Sequence, residues 1–407
     1  MWKKQLLRGV GWVVGMRFVI RGLSFAKNIF LARLLSPDDF GAFAVAAITL
    51  SLLEILTETG INTVLIQKKE GMESLLPTAW IVSILRGFLI GLVLLILSPL
   101  VASYFNNPSA LALLQLGSIV SVVRGFINPA IVTLVKDYQY KKEFALRSLT
   151  FLVDSGVAVI LAYITQNPTS MLYGILAGAI FELLWSHLFV FPSVKLGFSK
   201  EIAGQILSKG KWMSLTGISD YLLQNGDTIL VGRVLGPVSM GLYQVGYQLS
   251  VMPVSEVSSV LSKVVFPIFV KQQKDEMQSY FWKILLFTAA LISLWSLILL
   301  LFGEYVVLFI LGDKWLEAAP LVSVLGVLAL VRSINLVFYA PLLALEKQKV
   351  VARIPSITVL IMVLTMYPLV VSYGVIGAAV SVIIGSIVSL VYAWYYLYRV
   401  FYNTDHD

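Results

Sequence analysis

The chain has 407 residues, of which 58% are hydrophobic and only 13% are charged, and its mean hydropathy is +0.89. Because soluble globular domains carry roughly 25% charged residues, this composition excludes an ordinary water-soluble domain and indicates a protein that lies in a lipid bilayer. The absence of Cys excludes a disulfide framework and a thiolate metal site, and the net charge of +8 requires a separate explanation.

Long apolar segments recur along the whole chain. The segments 87–102 and 284–302 reach or approach the roughly 20 residues that a helix needs to cross the hydrocarbon core. Arg17 and Arg21 interrupt the first apolar segment, so we expect it to be a retained helix and not a cleavable signal peptide. We predict twelve membrane-spanning helices, at 12–34, 41–59, 78–101, 109–135, 146–165, 169–191, 209–233, 241–268, 281–302, 315–344, 350–372 and 374–399.

The basic residues are concentrated in alternate connections between the predicted helices. One set of connections and its flanks contains Lys68, Lys69, Lys136, Lys141, Lys142, Lys195, Lys200, Lys209, Lys211, Lys271, Lys274, Lys347 and Lys349. The other set contains Arg33, Arg233 and Lys314. Because positive charge stays on the cytoplasmic side of a membrane, we expect both termini to be cytoplasmic in a multi-pass protein. This distribution accounts for the net charge, and nucleic acid is not expected as a partner.

The chain contains an internal repeat. LARLLSPDDFGAF (31–43) returns as VGRVLGPVSMGLY (231–243), and VVRGFINPA (122–130) resembles LVRSINLVFYAP (330–341). The first pair of stretches shares Arg33 and Arg233, Pro37 and Pro237, and Gly41 and Gly241, at a constant offset of 200 residues. Matches of Arg, Pro and Gly are informative in so apolar a chain, whereas matches of Leu or Val are not.

The repeat divides the chain into two lobes of six helices, 1–200 and 201–407. Because six is even, each lobe begins and ends on the same side of the membrane, so the two lobes run in parallel. Transporters built from parallel repeats bind substrate between the halves and alternate its access to the two sides. We therefore predict an all-α integral membrane protein with about twelve transmembrane helices in two parallel six-helix lobes around a central cavity. The repeated motif itself is predicted to be an external helix hairpin, in which Pro ends one helix.

Charged residues at membrane depth are the candidate substrate groups, because burying an ionisable group there is costly. Arg17 and Arg21, with Ser24 and Asn28, form one polar stripe on the first helix by helical periodicity, and Lys27 borders it. The guanidinium fork suits phosphate oxygens. The candidate residues for binding an anionic group are Arg17, Arg21, Lys27, Arg86, Arg124 and Arg332.

Carboxylates in the predicted helices are candidates for the cavity wall and for coupling transport to H⁺ or Na⁺. They are Asp154, Glu182, Glu54, Glu58, Asp220 and Asp227, together with the amide of Gln224. By helical spacing, Asp220, Gln224 and Asp227 form one polar face of the seventh predicted span. A purely structural explanation also remains open for two of these carboxylates. Asp227 could form an ion pair with Lys27, and Glu54 could be neutralised by Arg86. No cofactor and no bound structural or catalytic metal are expected.

Four stretches carry a family resemblance. They are NGDTILVGRVLGPVSMGLYQVGYQLSVMP (225–253), LSPDDFGAFAVAAITLSLLEILTETGINTVLIQKKE (35–70), KDYQYKKEFALRS (136–148) and LGDKWLEAAPLVSVLG (311–326). In these stretches the chain resembles the lipid-linked oligosaccharide flippases of bacterial exopolysaccharide synthesis, within the multidrug, oligosaccharidyl-lipid and polysaccharide exporter superfamily. The colanic-acid and teichuronic-acid exporter branch is the most similar. The run from Asp227 through Arg233 to Pro237 is the most specific part.

The resemblance implies a flippase that moves an undecaprenyl-diphosphate-linked oligosaccharide repeat unit from the cytoplasmic to the outer leaflet by alternating access, for cell-surface polysaccharide biosynthesis. It implies location in the bacterial inner (plasma) membrane, with a polysaccharide polymerase and glycosyltransferases as membrane partners. Many such flippases have two further C-terminal helices after the twelfth. A flippase performs no covalent chemistry, so no catalytic residue is expected.

Two alternatives belong to other classes. A cation-coupled multidrug antiporter of the same superfamily would favour an acidic and aromatic cavity, which the basic first helix argues against. A membrane-embedded polysaccharide polymerase or glycosyltransferase would need a sizeable loop or domain with clustered acidic residues, whereas every predicted connection is short.

Overall fold

A computed structural model describes residues 2–68, 71–190, 195–271 and 274–402. Within these ranges, the description excludes the side chains of 2–14, 17, 212, 216, 219, 223, 252, 253, 255–264, 267, 268, 271, 274, 275 and 402. The helices are α1 Trp2–Leu34, α2 Pro37–Leu56, α3 Ile61–Gln67, α4 Leu76–Tyr104, α5 Ser109–Gly125, α6 Thr133–Lys136, α7 Tyr140–Thr165, α8 Thr169–Leu188, α9 Lys200–Leu235, α10 Pro237–Lys271, α11 Lys274–Ile310, α12 Ala319–Ala344 and α13 Gln348–Tyr402. Three short 3-10 helices lie at Met72–Ser74, Pro129–Val132 and Asp313–Ala318.

The prediction of an all-α protein with many membrane spans is confirmed. Within the described part of the chain, seven helices are long and apolar enough to cross a membrane, and a bent pair is an eighth candidate. Each of the twelve predicted spans overlaps one helix or one half of a broken helix. The last two predicted spans share α13, which is interrupted at Gly374, where φ is +61° and ψ is −141°.

The predicted span 109–135 is wrong in one respect, because it is not one straight helix. α5 ends at Gly125, and the segment Pro129–Lys136 continues at an angle of 75°. Pro129 has no amide hydrogen and disfavours helical geometry in the residue before it. Asn128 adopts an extended backbone, and its side chain accepts a 2.9 Å hydrogen bond from the amide of Ala130, which starts the new segment.

The repeated motif forms a helix hairpin in both halves. Pro37 begins α2 and Pro237 begins α10, one residue after the turn in each case. In the first half, Ser36 and Asp39 form a capping box, in which the Asp39 carboxylate accepts a 2.8 Å bond from the Ser36 amide. In the second half the capping position is Gly236, with φ of +86°, a conformation that glycine adopts without strain.

The chain forms two compact units, residues 1–225 and 226–407, and the division lies inside α9. The predicted lobes 1–200 and 201–407 describe the sequence repeat and stay a prediction. The first part of α9 packs within the first unit. There, a Cβ added to Gly210 would lie 2.4 Å from the carbonyl oxygen of Glu58, so the two backbones are in close contact. The hydroxyl of Ser214 donates a 3.2 Å hydrogen bond to that same oxygen.

Each unit has its own packed interior. In the first unit, α4 packs on α5, and α7 packs on both α8 and α1. Gly87 and Gly125 allow α4 and α5 to approach closely, since a Cβ on Gly125 would lie 3.2 Å from the Gly87 Cα. In the second unit, α12 packs on α10, α11 and α13. Small residues at such contacts let membrane helices associate by close van der Waals packing.

Candidate functional site

The polar stripe predicted on the first helix lies on the continuous helix α1. The side chain of Arg21 is exposed, and those of Ser24, Lys27 and Asn28 are half-buried. The side chain of Arg17 lies outside the described part of the chain, so its predicted role stays a prediction. Arg21 is therefore the described arginine of this stripe that a ligand can reach.

Lys27 forms an ion pair with Asp154 of α7. Its ammonium nitrogen lies 2.7 Å from the carboxylate oxygen, and the two side chains are 12% and 16% exposed. The same nitrogen lies 5.7 Å from the centre of the Phe151 ring. Asp154 also packs against α8, since a Cβ on Gly174 would lie 2.8 Å from its carboxylate. The open question of the Lys27 partner is thus answered by Asp154, not by Asp227.

Two further ion pairs link α4 and α5 to Glu54 in the last turn of α2 and to Glu58 just after its end. Arg86 of α4 contacts the Glu58 carboxylate at 3.3 Å, and Arg124 of α5 contacts that of Glu54 at 2.6 Å. Arg86 also donates a 2.6 Å hydrogen bond to the backbone carbonyl of Glu54. The explanation left open for Glu54, neutralisation by Arg86, is not what the structure has: Arg86 donates to the Glu54 backbone carbonyl, and the Glu54 carboxylate contacts Arg124.

The polar face predicted on the seventh span divides into two different environments along α9. Asp220 and Gln224 have exposed side chains and lie in the first unit. Asp227 lies in the second unit and is only 3% exposed. Helical spacing predicted one shared face for the three residues, but burial differs along it because their neighbours differ.

Asp227 is one end of a chain of four contacting side chains inside the second unit, with hydrogen bonds at its two ends and a ring contact in the middle. Its carboxylate accepts bonds from the hydroxyl of Tyr243 at 2.9 Å and from the amide of Thr228 at 2.7 Å. The rings of Tyr243 and Tyr247 stack with centroids 6.4 Å apart. Arg332 donates a hydrogen bond to the Tyr247 hydroxyl, and its guanidinium carbon lies 5.4 Å from that ring. Two tyrosines thus connect a buried carboxylate to an arginine, which compensates the cost of burying both charges.

Arg124 and Arg332 occupy matching places in the two halves. The sequence repeat aligns them, and they lie on α5 and α12, the fourth span of each half. Each contacts the second span of its own half, Arg124 through Glu54 of α2 and Arg332 through Tyr247 of α10. In both halves, therefore, the arginine of the fourth span contacts the second span. Its partner is a carboxylate in the first half and a phenol hydroxyl in the second half.

Sequence reasoning missed the two tyrosines of this chain. At the 200-residue offset Tyr243 aligns with Phe43, and Tyr247 aligns with Ala47. The replacement of Phe43 by a tyrosine at the matching position could have indicated a polar contact, since a buried tyrosine hydroxyl usually has a hydrogen-bond partner. It also missed Arg147, whose guanidinium lies 2.7 Å from the Glu182 carboxylate and joins α7 to α8.

A family model described as "Polysaccharide biosynthesis protein" matches residues 30–320. The chain belongs to this family. The match begins in α1 and ends in α12, so it includes Asp227, Tyr243 and Tyr247 and both members of every ion pair described above except Lys27–Asp154, and it leaves out Lys27 and Arg332.

Several curated proteins are similar to this family member over most of their length. The Escherichia coli "Lipopolysaccharide biosynthesis protein WzxC" is 25% identical over 82% of this chain and 68% of its own. The Bacillus subtilis "Teichuronic acid biosynthesis protein TuaB" is 23% identical, with 81% and 69% covered. The Rhizobium meliloti "Succinoglycan biosynthesis transport protein ExoT" is 26% identical, with 81% and 67% covered.

Solved structures share the fold. A structure titled "Lipid II flippase MurJ, inward closed conformation" superposes with a TM-score of 0.74 at 16% identity, covering 95% of this chain and 87% of that one. An inward-facing multidrug resistance MATE family transporter gives 0.66 at 15% identity, with 93% and 94% covered. At these identities the likeness establishes the architecture of a multi-span membrane protein, and function requires its own argument.

Proposed function

We propose that this protein is a flippase that moves a polyprenyl-diphosphate-linked oligosaccharide across the membrane for cell-surface polysaccharide biosynthesis. Membership of the polysaccharide biosynthesis family supports the process, and the similar bacterial proteins are named as polysaccharide biosynthesis or transport proteins. The fold shared with a lipid II flippase supports the mode of action. Such a substrate has a charged diphosphate that must pass the hydrocarbon core, so the protein must supply cations at membrane depth.

The proposal rests above all on Arg21, an exposed arginine of α1. Arg21 presents an exposed side chain on the polar stripe of α1, where a ligand can reach the guanidinium. Its planar fork can bind two oxygens of one phosphate. Arg21, together with Arg17 one helical turn earlier, is therefore the proposed diphosphate site.

A reconstituted flipping assay tests this assignment. Proteoliposomes receive a polyprenyl-diphosphate oligosaccharide, and the fraction that reaches the opposite leaflet is measured for wild type, Arg21→Gln and Arg33→Gln. Arg33 is the matched control, because it is an exposed arginine near the end of the same helix. We expect Arg21→Gln to lower the flipping rate about tenfold, as the loss of one charge-assisted contact predicts, and Arg33→Gln to leave it within about twofold.

The two alternatives make different predictions in the same vesicles. If wild type moves no lipid-linked glycan but exports cationic dyes, the antiporter replaces the flippase. If incubation with lipid-linked glycan yields a longer or cleaved glycan, the protein is an enzyme and the proposal that it lacks catalysis is wrong. Equal flipping by wild type and Arg21→Gln would keep the flippase and remove the diphosphate site.

The orientation with both termini on the cytoplasmic side is part of the proposal. It rests on the basic residues of alternate connections, and the chain contains no Cys, so a single introduced Cys reports its own side. We expect Lys142→Cys to be protected from a membrane-impermeant maleimide added outside cells, and Asn106→Cys, in the connection between α4 and α5, to be labelled. The reverse pattern would invert the orientation.

A further inference from the structure

A cavity of about 730 Å³ lies within the first unit, between the end of α2, the first half of α4 and the first half of α9. This size is within the range of roughly 300–1,000 Å³ that is typical of ligand pockets. Its walls are mostly apolar, with Leu56, Leu85, Leu89, Leu207 and Leu215 among the lining residues. All five leucines are at least 47% exposed, so the cavity opens at the surface of the first unit and is not an enclosed core void.

Charged and polar side chains line the rest of this cavity. Arg86 and Lys211 contribute two cations, Glu58 contributes one carboxylate, and Thr57 and Ser214 contribute hydroxyls. The cavity therefore has a net charge of about +1 at neutral pH, beside an apolar wall. A ligand that complements both features is amphiphilic, with a single negative charge and a hydrocarbon chain.

The hydrogen bonds of Arg86 determine how it can contact such a ligand. Its Nε donates to the Thr57 hydroxyl at 3.2 Å, and its Nη2 donates to the Glu54 carbonyl at 2.6 Å and to Glu58 at 3.3 Å. Within the described residues these bonds leave both hydrogens of Nη1 without an acceptor. The guanidinium is thus held in place from one side while its other amino group remains able to bind a phosphate oxygen.

We propose that this cavity is a binding site for an anionic phospholipid of the surrounding membrane, separate from the flipping substrate. The phosphodiester binds Nη1 of Arg86 and the ammonium of Lys211, and the first part of one acyl chain lies along the leucine wall. A phosphodiester carries one negative charge, which matches the net charge of the cavity, whereas a polyprenyl diphosphate brings at least two. On the predicted orientation the cavity lies at the cytoplasmic leaflet, where basic residues near the surface attract anionic lipids.

The position of the site suggests what the lipid does. The cavity lies where α9 packs on the end of α2, through Gly210 against the backbone at Glu58 and Thr59 and through Ser214. Lys211 follows Gly210 directly on α9, and Arg86 belongs to α4. A phosphate that contacts both cations therefore joins α4 to α9 and stabilises the packing of the first half of α9 on α2.

Lipid retention and thermal unfolding test the proposal on the whole protein. Wild type is purified in detergent, mixed with phosphatidylglycerol, phosphatidylcholine or polyprenyl phosphate, and analysed by native mass spectrometry and by its unfolding temperature. We expect retained phosphatidylglycerol and a higher unfolding temperature with that lipid, and neither with phosphatidylcholine. Lys211→Gln should weaken phosphatidylglycerol binding about fivefold, as the loss of one basic contact to an anionic lipid predicts. Lys200→Gln, an exposed charge loss on the same helix outside the cavity, should leave binding unchanged.

A variant that keeps the charges separates the cavity from general surface electrostatics. Leu85 is 60% exposed and lines the apolar wall, so Leu85→Trp should fill the cavity without disturbing the fold. Loss of phosphatidylglycerol retention in Leu85→Trp, with an unchanged unfolding temperature in lipid-free detergent, supports the site. Retention equal to wild type in both Lys211→Gln and Leu85→Trp would overturn it, as would equal binding of phosphatidylcholine. Displacement of phosphatidylglycerol by an equimolar amount of polyprenyl phosphate would overturn the choice of phospholipid.

Discussion

The hydroxyl of Tyr243 donates a 2.9 Å hydrogen bond to the carboxylate of Asp227, and both side chains are buried in the second unit. The bond joins α10 to α9 immediately after the repeated hairpin. Tyr243 is fully buried, so water cannot replace Asp227 as the hydrogen-bond partner of its hydroxyl. Asp227 is therefore held by protein groups, and removal of one donor must leave part of a buried charge unsatisfied.

Tyr243→Phe should destabilise the protein by about 1–3 kcal/mol, because the ring still fills its site while the carboxylate loses a donor. The measurement is the unfolding temperature in detergent. Tyr305→Phe serves as the control, since Tyr305 is 71% exposed and its hydroxyl removal should have little effect. An equal effect of both substitutions would show that the hydrogen bond to Asp227 contributes nothing to stability.

The Lys27–Asp154 pair should behave as a coupled unit. Its atoms lie 2.7 Å apart and both side chains are mostly buried, so Lys27→Met alone should cost about 3–5 kcal/mol by leaving a carboxylate unpaired. Adding Asp154→Asn should restore part of that loss. A double-mutant cycle of unfolding free energies measures the coupling, and additive single effects would mean that the pair is not energetically linked.

Close packing between α9 and the end of α2 should depend on a glycine. Gly210→Ala would place a Cβ 2.4 Å from the Glu58 carbonyl oxygen, and the resulting overpacking should cost about 1–3 kcal/mol. Gly204→Ala is the matched control on the same helix, because a Cβ there meets nothing within 4 Å. It should be neutral or stabilise by up to about 1 kcal/mol through helix propensity. Similar unfolding temperatures for the two variants would contradict the close contact.

Asp220 is the carboxylate on which an ion-coupling experiment should begin. Its side chain is exposed, whereas Asp154, Glu54 and Glu58 are paired with cations. If flipping is coupled to H⁺ or Na⁺ through this residue, Asp220→Asn should abolish the response of the flipping rate to an imposed ion gradient. The rate without a gradient should change less than about twofold. The neighbouring exposed amide substitution Gln224→Ala is the control, and a preserved gradient response in Asp220→Asn would exclude this carboxylate.

The helical membrane architecture was readable from local sequence because hydropathy and length decide whether a segment can remain in lipid. The hairpins at Pro37 and Pro237 were readable for the same local reason, since proline constrains its own backbone and that of its neighbour. The bend after Gly125 was missed although its cause, Pro129, was visible. The sequence stays apolar through that bend, and hydropathy does not report the direction of the helix axis.

Charge pairing could not be read from the sequence. Their positions in apolar segments identified Lys27, Arg86, Arg124 and Arg332 as groups that are costly to bury, and the sequence by itself determined that each needed compensation. Only the tertiary structure decided that Asp154 neutralises Lys27 across 127 positions of chain, and that Arg332 meets a tyrosine where its repeat counterpart meets a glutamate. The physical reason is that an ion pair depends on which helix faces pack together, and packing of apolar helices is set by the fit of small and large side chains over the whole unit.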